Sequence, residues 1–367
     1  MKVEVLQERL AKALNIVSRV AASTKAGLPI LSNILIRADG KQLVLTATNL
    51  ELATVEYVNA KIIEEGTVTV PARLLASFIS NLPKGTVKLS VKDNKLTIEA
   101  DQYKSIMNGM AADDYPEIPT IDEKKAAVFK LSVEDFKESL GQVIIAASTD
   151  TTRPALTGVY FNTNNEDLFV AATDGYRLAD KKLVSGVKDE IKAIVPVSAL
   201  REVLSSISDD MEDIEVSVDE NLICFKLGEV MIISKLIDAS FPDYRQLIPE
   251  KSKLVVKLNK NEITRMTKVA ALFAQDSGGS VVCEAKKDEG VFSISAVASE
   301  LGENSSDIKA DISEDGKITL NSRYLLDALN ALVDDEIEFK ISSKIAPVVL
   351  NNTKQNDYTH IIMPLKS

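Results

Sequence analysis

Apolar residues return along this chain in two rhythms. In residues 6–22, Leu6, Leu10, Ala13, Leu14 and Val17 recur every three or four positions, and residues 132–147 and 259–274 repeat that spacing. Such a stripe buries one face of a helix, so each stretch predicts an amphipathic helix. Shorter runs alternate instead, at 43–48, 52–58, 87–91 and 95–100, then at 168–172, 214–218, 222–227 and 231–233. They are rich in Val, Ile, Thr and Leu and are punctuated by Asp-Gly, Asp-Asn or Glu-Asn. This predicts antiparallel strands joined by tight turns.

The whole pattern occurs three times. Residues 70–79 (VPARLLASFI), 195–204 (VPVSALREVL) and 320–329 (LNSRYLLDAL) are versions of one segment, and Pro71, Pro196 and Asn321 stand 125 residues apart. Solenoid units recur every 20 to roughly 50 residues, so a period this long is a domain. Pro-rich closings at 110–119 and 236–249 act as linkers, because proline continues neither a helix nor a ladder. The expectation is three α+β domains, 1–122, 123–250 and 251–367, each with two helices packed on antiparallel sheet. The six helices are expected at 6–22, 71–82, 132–147, 196–207, 259–274 and 321–332.

Charge changes this picture through its distribution. The chain carries 43 Lys plus Arg against 54 Asp plus Glu, a net −11, which argues against a protein that grips phosphates. The predicted helices hold ten bases, Arg9, Lys12, Arg19, Arg73, Lys137, Arg201, Lys260, Arg265, Lys268 and Arg323, against seven acids. They are therefore net positive while the remainder is strongly acidic. Ordinary solvated helix faces account for that, and so does one helical surface turned to a polyanion, held without base readout.

Candidate chemistry is sparse. The single histidine, His360, reads as an ordinary strand residue, and no G-x-G-x-x-G, Walker loop, H-E-x-x-H or acidic metal cluster is written. Asp113-Asp114 and Asp209-Asp210 read as solvated loops. Cys224 and Cys283 are isolated and read as reduced, buried small hydrophobes. No apolar run approaches the roughly 20 residues that span a bilayer, and the first ten residues lack a secretory core, which places the chain in the cytoplasm. No enzyme activity, cofactor or metal is expected.

Five motifs add a resemblance. GLPILSNILI at 27–36, TATNLEL at 46–52, ATDGYRLA at 172–179, FPDYRQLIP at 241–249 and MPLK at 363–366 closely resemble, in order and from end to end, the bacterial DNA polymerase III beta subunit family, the sliding clamps. The resemblance implies the DNA clamp fold, a head-to-tail homodimer that closes a six-domain ring, helices around the hole and sheets outside. It implies a processivity factor that encircles duplex DNA irrespective of sequence and docks polymerase, clamp loader and repair proteins. The implied peptide pocket comprises Leu156, Thr173, Gly175, Tyr176, Arg177, Leu178, Pro242, Gln246, Leu247, Pro347, Ile361, Met363, Pro364 and Leu365, with Arg177 offering donors to the peptide. Tyr176 stands where many members carry histidine, and Gln246 where arginine is frequent. Among the bases, Arg9, Lys12, Arg19, Arg73, Lys137, Arg201, Arg265 and Lys268 would line the hole, joined by Lys25 and Arg153 from loops. At the dimer interface, Lys104, Ile106 and Met107 would meet Leu272, Phe273, Glu300 and Glu303.

Without the resemblance, Asp174-Gly175 reads as a type I′ hairpin turn and 363–367 as a frayed tail. A repeat scaffold that binds only proteins, and an enzyme with an unrecognised site, are the competing classes. The scaffold would show no retention on circular DNA; the enzyme would bury a perturbed acid or base in a cleft.

Overall fold

The computed structural model describes residues 1–22, 28–122, 124–249, 251–298, 302–343 and 345–365. Among the described residues six α-helices form where the three- and four-residue spacing places them: α1 (Gln7–Ala22), α2 (Ala72–Ser80), α3 (Val133–Val143), α4 (Val197–Ser206), α5 (Lys260–Phe273) and α6 (Ser322–Ala331). In α1, Leu10, Ala13, Leu14 and Val17 are fully buried, as a core-facing stripe requires. Leu6 departs from that expectation. It closes the strand Lys2–Leu6 and stays half exposed, and the Gln7 side chain at the helix start donates to the Ile79 carbonyl of α2 at 2.7 Å. In α3 the last expected turn tightens into a 3-10 turn, Ile144–Ala146.

The proline and asparagine that mark the repeat sit at helix starts. Pro71 caps α2 with φ of −56°, a value its ring fixes, while Asn321 caps α6 through a side chain that accepts from the Arg323 and Tyr324 amides. One position thus begins two equivalent helices by different chemistry.

Two compact units form, residues 1–133 with 198–236 and residues 134–197 with 237–367. In the first, an eight-stranded antiparallel sheet runs in the order 127–132, 213–218, 222–227, 230–235, 52–59, 42–48, 33–39, 66–71, beside a five-stranded one ordered 61–64, 2–6, 86–92, 95–100, 103–108. Helices α1 and α2 pack on each other, and α1 lies on strands Gln42–Thr48 and Leu52–Asn59. The second unit holds a nine-stranded sheet ordered 192–196, 158–164, 167–173, 177–185, 358–362, 348–352, 336–341, 254–259, 311–312, and a four-stranded one ordered 302–309, 291–298, 280–286, 316–321. There α5 and α6 pack together, with α5 on strands Val291–Ala298 and Gly302–Lys309.

Each large sheet is sewn from two repeats. Strand Val230–Lys235 pairs antiparallel with Leu52–Asn59, matching Met231 with Val55, and strand Tyr358–Ile362 pairs with Arg177–Ser185, matching Thr359 with Asp180. In both joints the last strand of one repeat completes the sheet of the repeat before it. By the same rule two equivalent strands lack a neighbour among the described residues: Tyr103–Asn108, the last of the first repeat, and Gly302–Lys309, which corresponds in the third repeat to Leu52–Asn59. Each is the edge of its sheet.

Candidate functional site

The turn at 173–177 shows how local sequence builds a surface. Thr173 Oγ1 donates to the Arg177 carbonyl at 2.6 Å and accepts from the Gly175 amide at 3.0 Å, while Asp174 Oδ1 accepts from the Tyr176 and Arg177 amides at 2.9 and 3.0 Å. Of the two residues expected to form a type I′ turn, only Gly175 has a positive φ, +92°, so the side chains of Thr173 and Asp174 set the bend instead. The first repeat does the same 125 residues earlier: Thr48 Oγ1 donates to the Leu52 carbonyl, and Asn49 Oδ1 accepts from the Glu51 and Leu52 amides. There Leu50 takes the positive φ, +76°, at a cost glycine avoids. Gly175 also leaves room, since a Cβ on it would come within 3.3 Å of Arg153 Nη1.

Arg177 locks this turn to α6. Its Nε reaches Asp174 Oδ2 at 3.1 Å, its Nη1 reaches Asp327 Oδ2 at 2.5 Å, and its guanidinium lies 4.6 Å over the Tyr324 ring. With 9% of the side chain exposed, Arg177 fastens the turn to the helix through charge-assisted contacts. Tyr176, 61% exposed, stands beside it. Its carbonyl accepts from the Met363 amide at 2.8 Å, and the Leu365 amide donates to the Thr319 carbonyl at 2.9 Å, so residues 363–365 are tied down rather than frayed.

An apolar floor joins these elements. Across three neighbouring strands Leu178 pairs with Ile361 and Ile361 with Val349, and all three are buried with Ala171 and Tyr244. Phe241 and Ile248 pack against that cluster, and Phe241 stacks on Tyr160 with centroids 4.8 Å apart. The Tyr244 hydroxyl donates to Asp180 Oδ1 at 2.7 Å, and Arg245 lies 4.5 Å over the Phe169 ring. Burial raises the Asp180 carboxyl pKa above its ordinary value, against the opposing effects of Tyr244 and Arg245. These anchors hold residues 241–247 so that Pro242, Gln246 and Leu247 face outward, Leu247 at 53% exposure. Leu156 caps the loop that carries Arg153, and Pro347 precedes Val348, whose partner is Ile362. Of the residues expected at the pocket, Leu178 and Ile361 thus share a buried cluster, the turn holding Thr173, Gly175, Tyr176 and Arg177 is tied to Met363, and Pro242, Gln246 and Leu247 ride on the segment anchored to that cluster.

The remaining expectations divide. Arg9, Lys12, Arg73 and Arg201 of the first unit, and Lys137, Arg265 and Lys268 of the second, are exposed on their helices. Arg19 is instead engaged by Glu202 of α4 at 2.7 Å and by Ser206 Oγ at 2.8 Å, and Arg153 pairs with Asp150 at 3.2 Å beside Gly175. Lys25 and Glu300 lie outside the described residues. Lys104 and Ile106 are exposed on the edge strand Tyr103–Asn108, but Met107, 4% exposed, points into its own core with Leu96 as its partner. Leu272 and Glu303 are exposed and Phe273 is half-buried.

Catalytic chemistry finds little footing. His360 is fully buried with its Nδ1 2.8 Å from the Tyr358 hydroxyl, and burial pushes its pKa down to about 3, so it stays neutral. Neither cysteine is in a disulfide, both are buried, and burial lifts the Cys283 thiol pKa to about 12. Among the described residues no cluster of three metal-ligating side chains forms, and no helix is long and apolar enough to cross a membrane.

Three family models match in order: DNA polymerase III beta subunit N-terminal domain over residues 1–119, central domain over 130–243 and C-terminal domain over 245–366. The chain belongs to the DNA polymerase III beta subunit family. A relative named beta sliding clamp from Staphylococcus aureus is 32% identical over 359 residues, 95% of this chain and 94% of its own. Among solved structures, the DNA polymerase sliding clamp from Bacillus subtilis superposes with a TM-score of 0.94 at 27% identity, covering 100% of this chain and 99% of that one. A sliding clamp from Bartonella birtlesii, solved with griselimycin bound, gives 0.93 at 30% identity with both chains fully covered. The chain functions as a sliding clamp for the replicative polymerase, a non-catalytic subunit, as its family membership establishes.

Sequence reasoning about this sliding-clamp surface missed its anchors. Phe241, Tyr244 and Arg245 share a segment with Pro242, Gln246 and Leu247, and two aromatic residues three positions apart were the available signal. Asp327 and Tyr324, which hold Arg177, are 147 or more residues away and carry no local mark.

Proposed function

We propose that two copies of this chain associate head to tail into a ring that encircles duplex DNA, and that its second unit offers an apolar groove to short peptide segments of polymerase, clamp loader and repair proteins. The observation that carries the ring is the pair of unsatisfied edges. Each internal joint sets the last strand of one repeat against a strand of the preceding repeat, and Tyr103–Asn108 and Gly302–Lys309 are the two such strands left over. One copy's first edge against another's second continues the pattern, and a rotation that does so twice closes the assembly. Carrying over the register of Met231 with Val55 and of Thr359 with Asp180 puts Lys104 of one copy opposite Ser305 of the other, with Glu303 and Asp307 diagonally beside it on the same face. Opposite charges placed diagonally across such a pair stabilise it.

The three domains would then be 1–122, 123–250 and 251–367, with the exposed bases of α1–α6 turned to the duplex. Non-specific contact of this kind binds weakly and leaves the protein free to slide, so topology rather than affinity retains it. For the groove, the support is the mix of exposed Leu247, Tyr176 and Met363 over a closed apolar floor, a surface that takes hydrophobic side chains of an extended segment.

The deciding experiment loads the protein on nicked circular DNA with its clamp loader and then cuts the circle once. The expected result is loss from the linear product while uncut circles keep their protein. Equal retention on both would mean ordinary site binding and would remove the ring. Light scattering at micromolar concentration should give about twice 39.9 kDa.

A further inference from the structure

In the first unit a cleft of about 460 Å³ opens beside the amino-terminal half of α1, within the size range of small-molecule sites, roughly 300–1,000 Å³. Its walls are apolar at Ile16, Val58, Met211 and Leu227. Glu56, on strand Leu52–Asn59, lines it while only 7% exposed, and its Oε2 has no hydrogen-bond partner among the described residues. A buried carboxylate oxygen left without a donor is costly, and such atoms are rare.

The second repeat shows what that position normally has. The matching residue, 125 positions on, is Lys181, which is also buried, and its Nζ is met by Glu138 at 3.1 Å and Asp357 at 2.9 Å. One cation there sits between two carboxylates. In the first repeat Glu229 occupies the place of Asp357, in the turn before strand Val230–Lys235, and Lys12 that of Glu138, so two carboxylates line the cleft and its one nearby lysine is exposed on the helix rather than buried between them. The other charged groups around the cleft are Asp210, Glu212 and Asp213 from the loop and strand opposite, and Arg9 and Lys12 from α1. Arg19 is held by Glu202, and Lys12 forms no ion pair with Glu56 among the described residues. Acids outnumber bases five to two.

We propose that this cleft is a binding site for a small alkylammonium ion, its ammonium group seated against Glu56 and Glu229 and its alkyl chain along the apolar walls. The ligand's nitrogen takes the part that Lys181 Nζ plays in the second repeat. The carboxylate must be ionised to bind it. Burial, opposed by Lys12 and Arg19 and assisted by Glu229, pushes the Glu56 pKa up to about 7, so the ionised fraction grows about tenfold between pH 6 and pH 8.

The test is calorimetric titration of the full-length protein with pentylamine, using pentanol as the uncharged isostere. Saturable binding about tenfold tighter at pH 8 than at pH 6, with pentanol at least tenfold weaker than the amine at pH 8, is the expected result. Glu56→Gln should weaken pentylamine at least tenfold at pH 8 and flatten its pH dependence. Met211→Trp, which fills the cleft and leaves Glu56 in place, should abolish binding in a protein of unchanged circular dichroism. Absence of saturable binding to the unaltered protein, equal affinity for pentanol, or undiminished affinity in folded Met211→Trp each overturns the assignment.

Discussion

Arg177 shows how a single residue changes meaning once its partners are known. A conspicuous arginine in an exposed-looking turn suggests a hand extended to a ligand, yet two ion pairs and its place over Tyr324 hold its guanidinium against the protein. Those contacts fix the position of Gly175 and Tyr176. The residues that touch a partner should instead be exposed and apolar, and Leu247 is the clearest of them. Leu247→Asp places a charge where an apolar side chain would dock and disturbs little else, because the residue is half exposed. Its affinity for a polymerase-derived peptide, read by fluorescence anisotropy, is expected to fall by at least about tenfold, the scale of one lost hot-spot contact. The melting temperature should stay unchanged. Undiminished affinity would take Leu247, and with it the groove, out of the reading.

At the scale of elements, the edge strands carry a prediction of their own. If Tyr103–Asn108 and Gly302–Lys309 pair between copies in the inherited register, Lys104→Glu sets a carboxylate diagonally between Glu303 and Asp307 of the other copy, and the cost is about 0.2–1 kcal/mol at each of two interfaces. Dimer dissociation measured by sedimentation should therefore rise by several-fold, and Lys104→Glu with Glu303→Lys should restore it. Failure of the double exchange to recover would mean another register or another edge. The helices on which this scaffold rests were legible in the sequence, since Leu10, Ala13, Leu14 and Val17 declare a buried face without reference to anything distant. The joints were not. Alternation at 231–233 announces a strand but cannot name Leu52–Asn59 as its neighbour, and the run at 103–108 hides its edge position for the same reason. Arg19 looked like any other helix base because Glu202, which claims it, is 183 residues away. The proposed groove was legible only through family motifs, as the apolar cluster beneath it is assembled from three strands of two repeats.

For the whole molecule, the net charge of −11 and the exposed helix bases pose one physical problem. An acidic protein binds duplex DNA poorly at equilibrium, and each phosphate contact it does make weakens as salt rises. A ring escapes that limit because leaving a closed circle requires opening a protein interface, whose stability rests on strand pairing and apolar burial rather than on phosphate contacts. Two quantities that move together for an ordinary DNA-binding protein should then separate. Replacing Arg265 and Lys268 of α5 by alanine should lower equilibrium binding to linear duplex and flatten its salt dependence by about two units of log–log slope per copy, since each lost cation contributes roughly 0.9. The lifetime of the same protein loaded on a closed circle, followed by gel filtration, should be unchanged. Parallel loss of linear affinity and circle lifetime would mean that the basic helices hold the DNA by attraction and that encirclement contributes nothing.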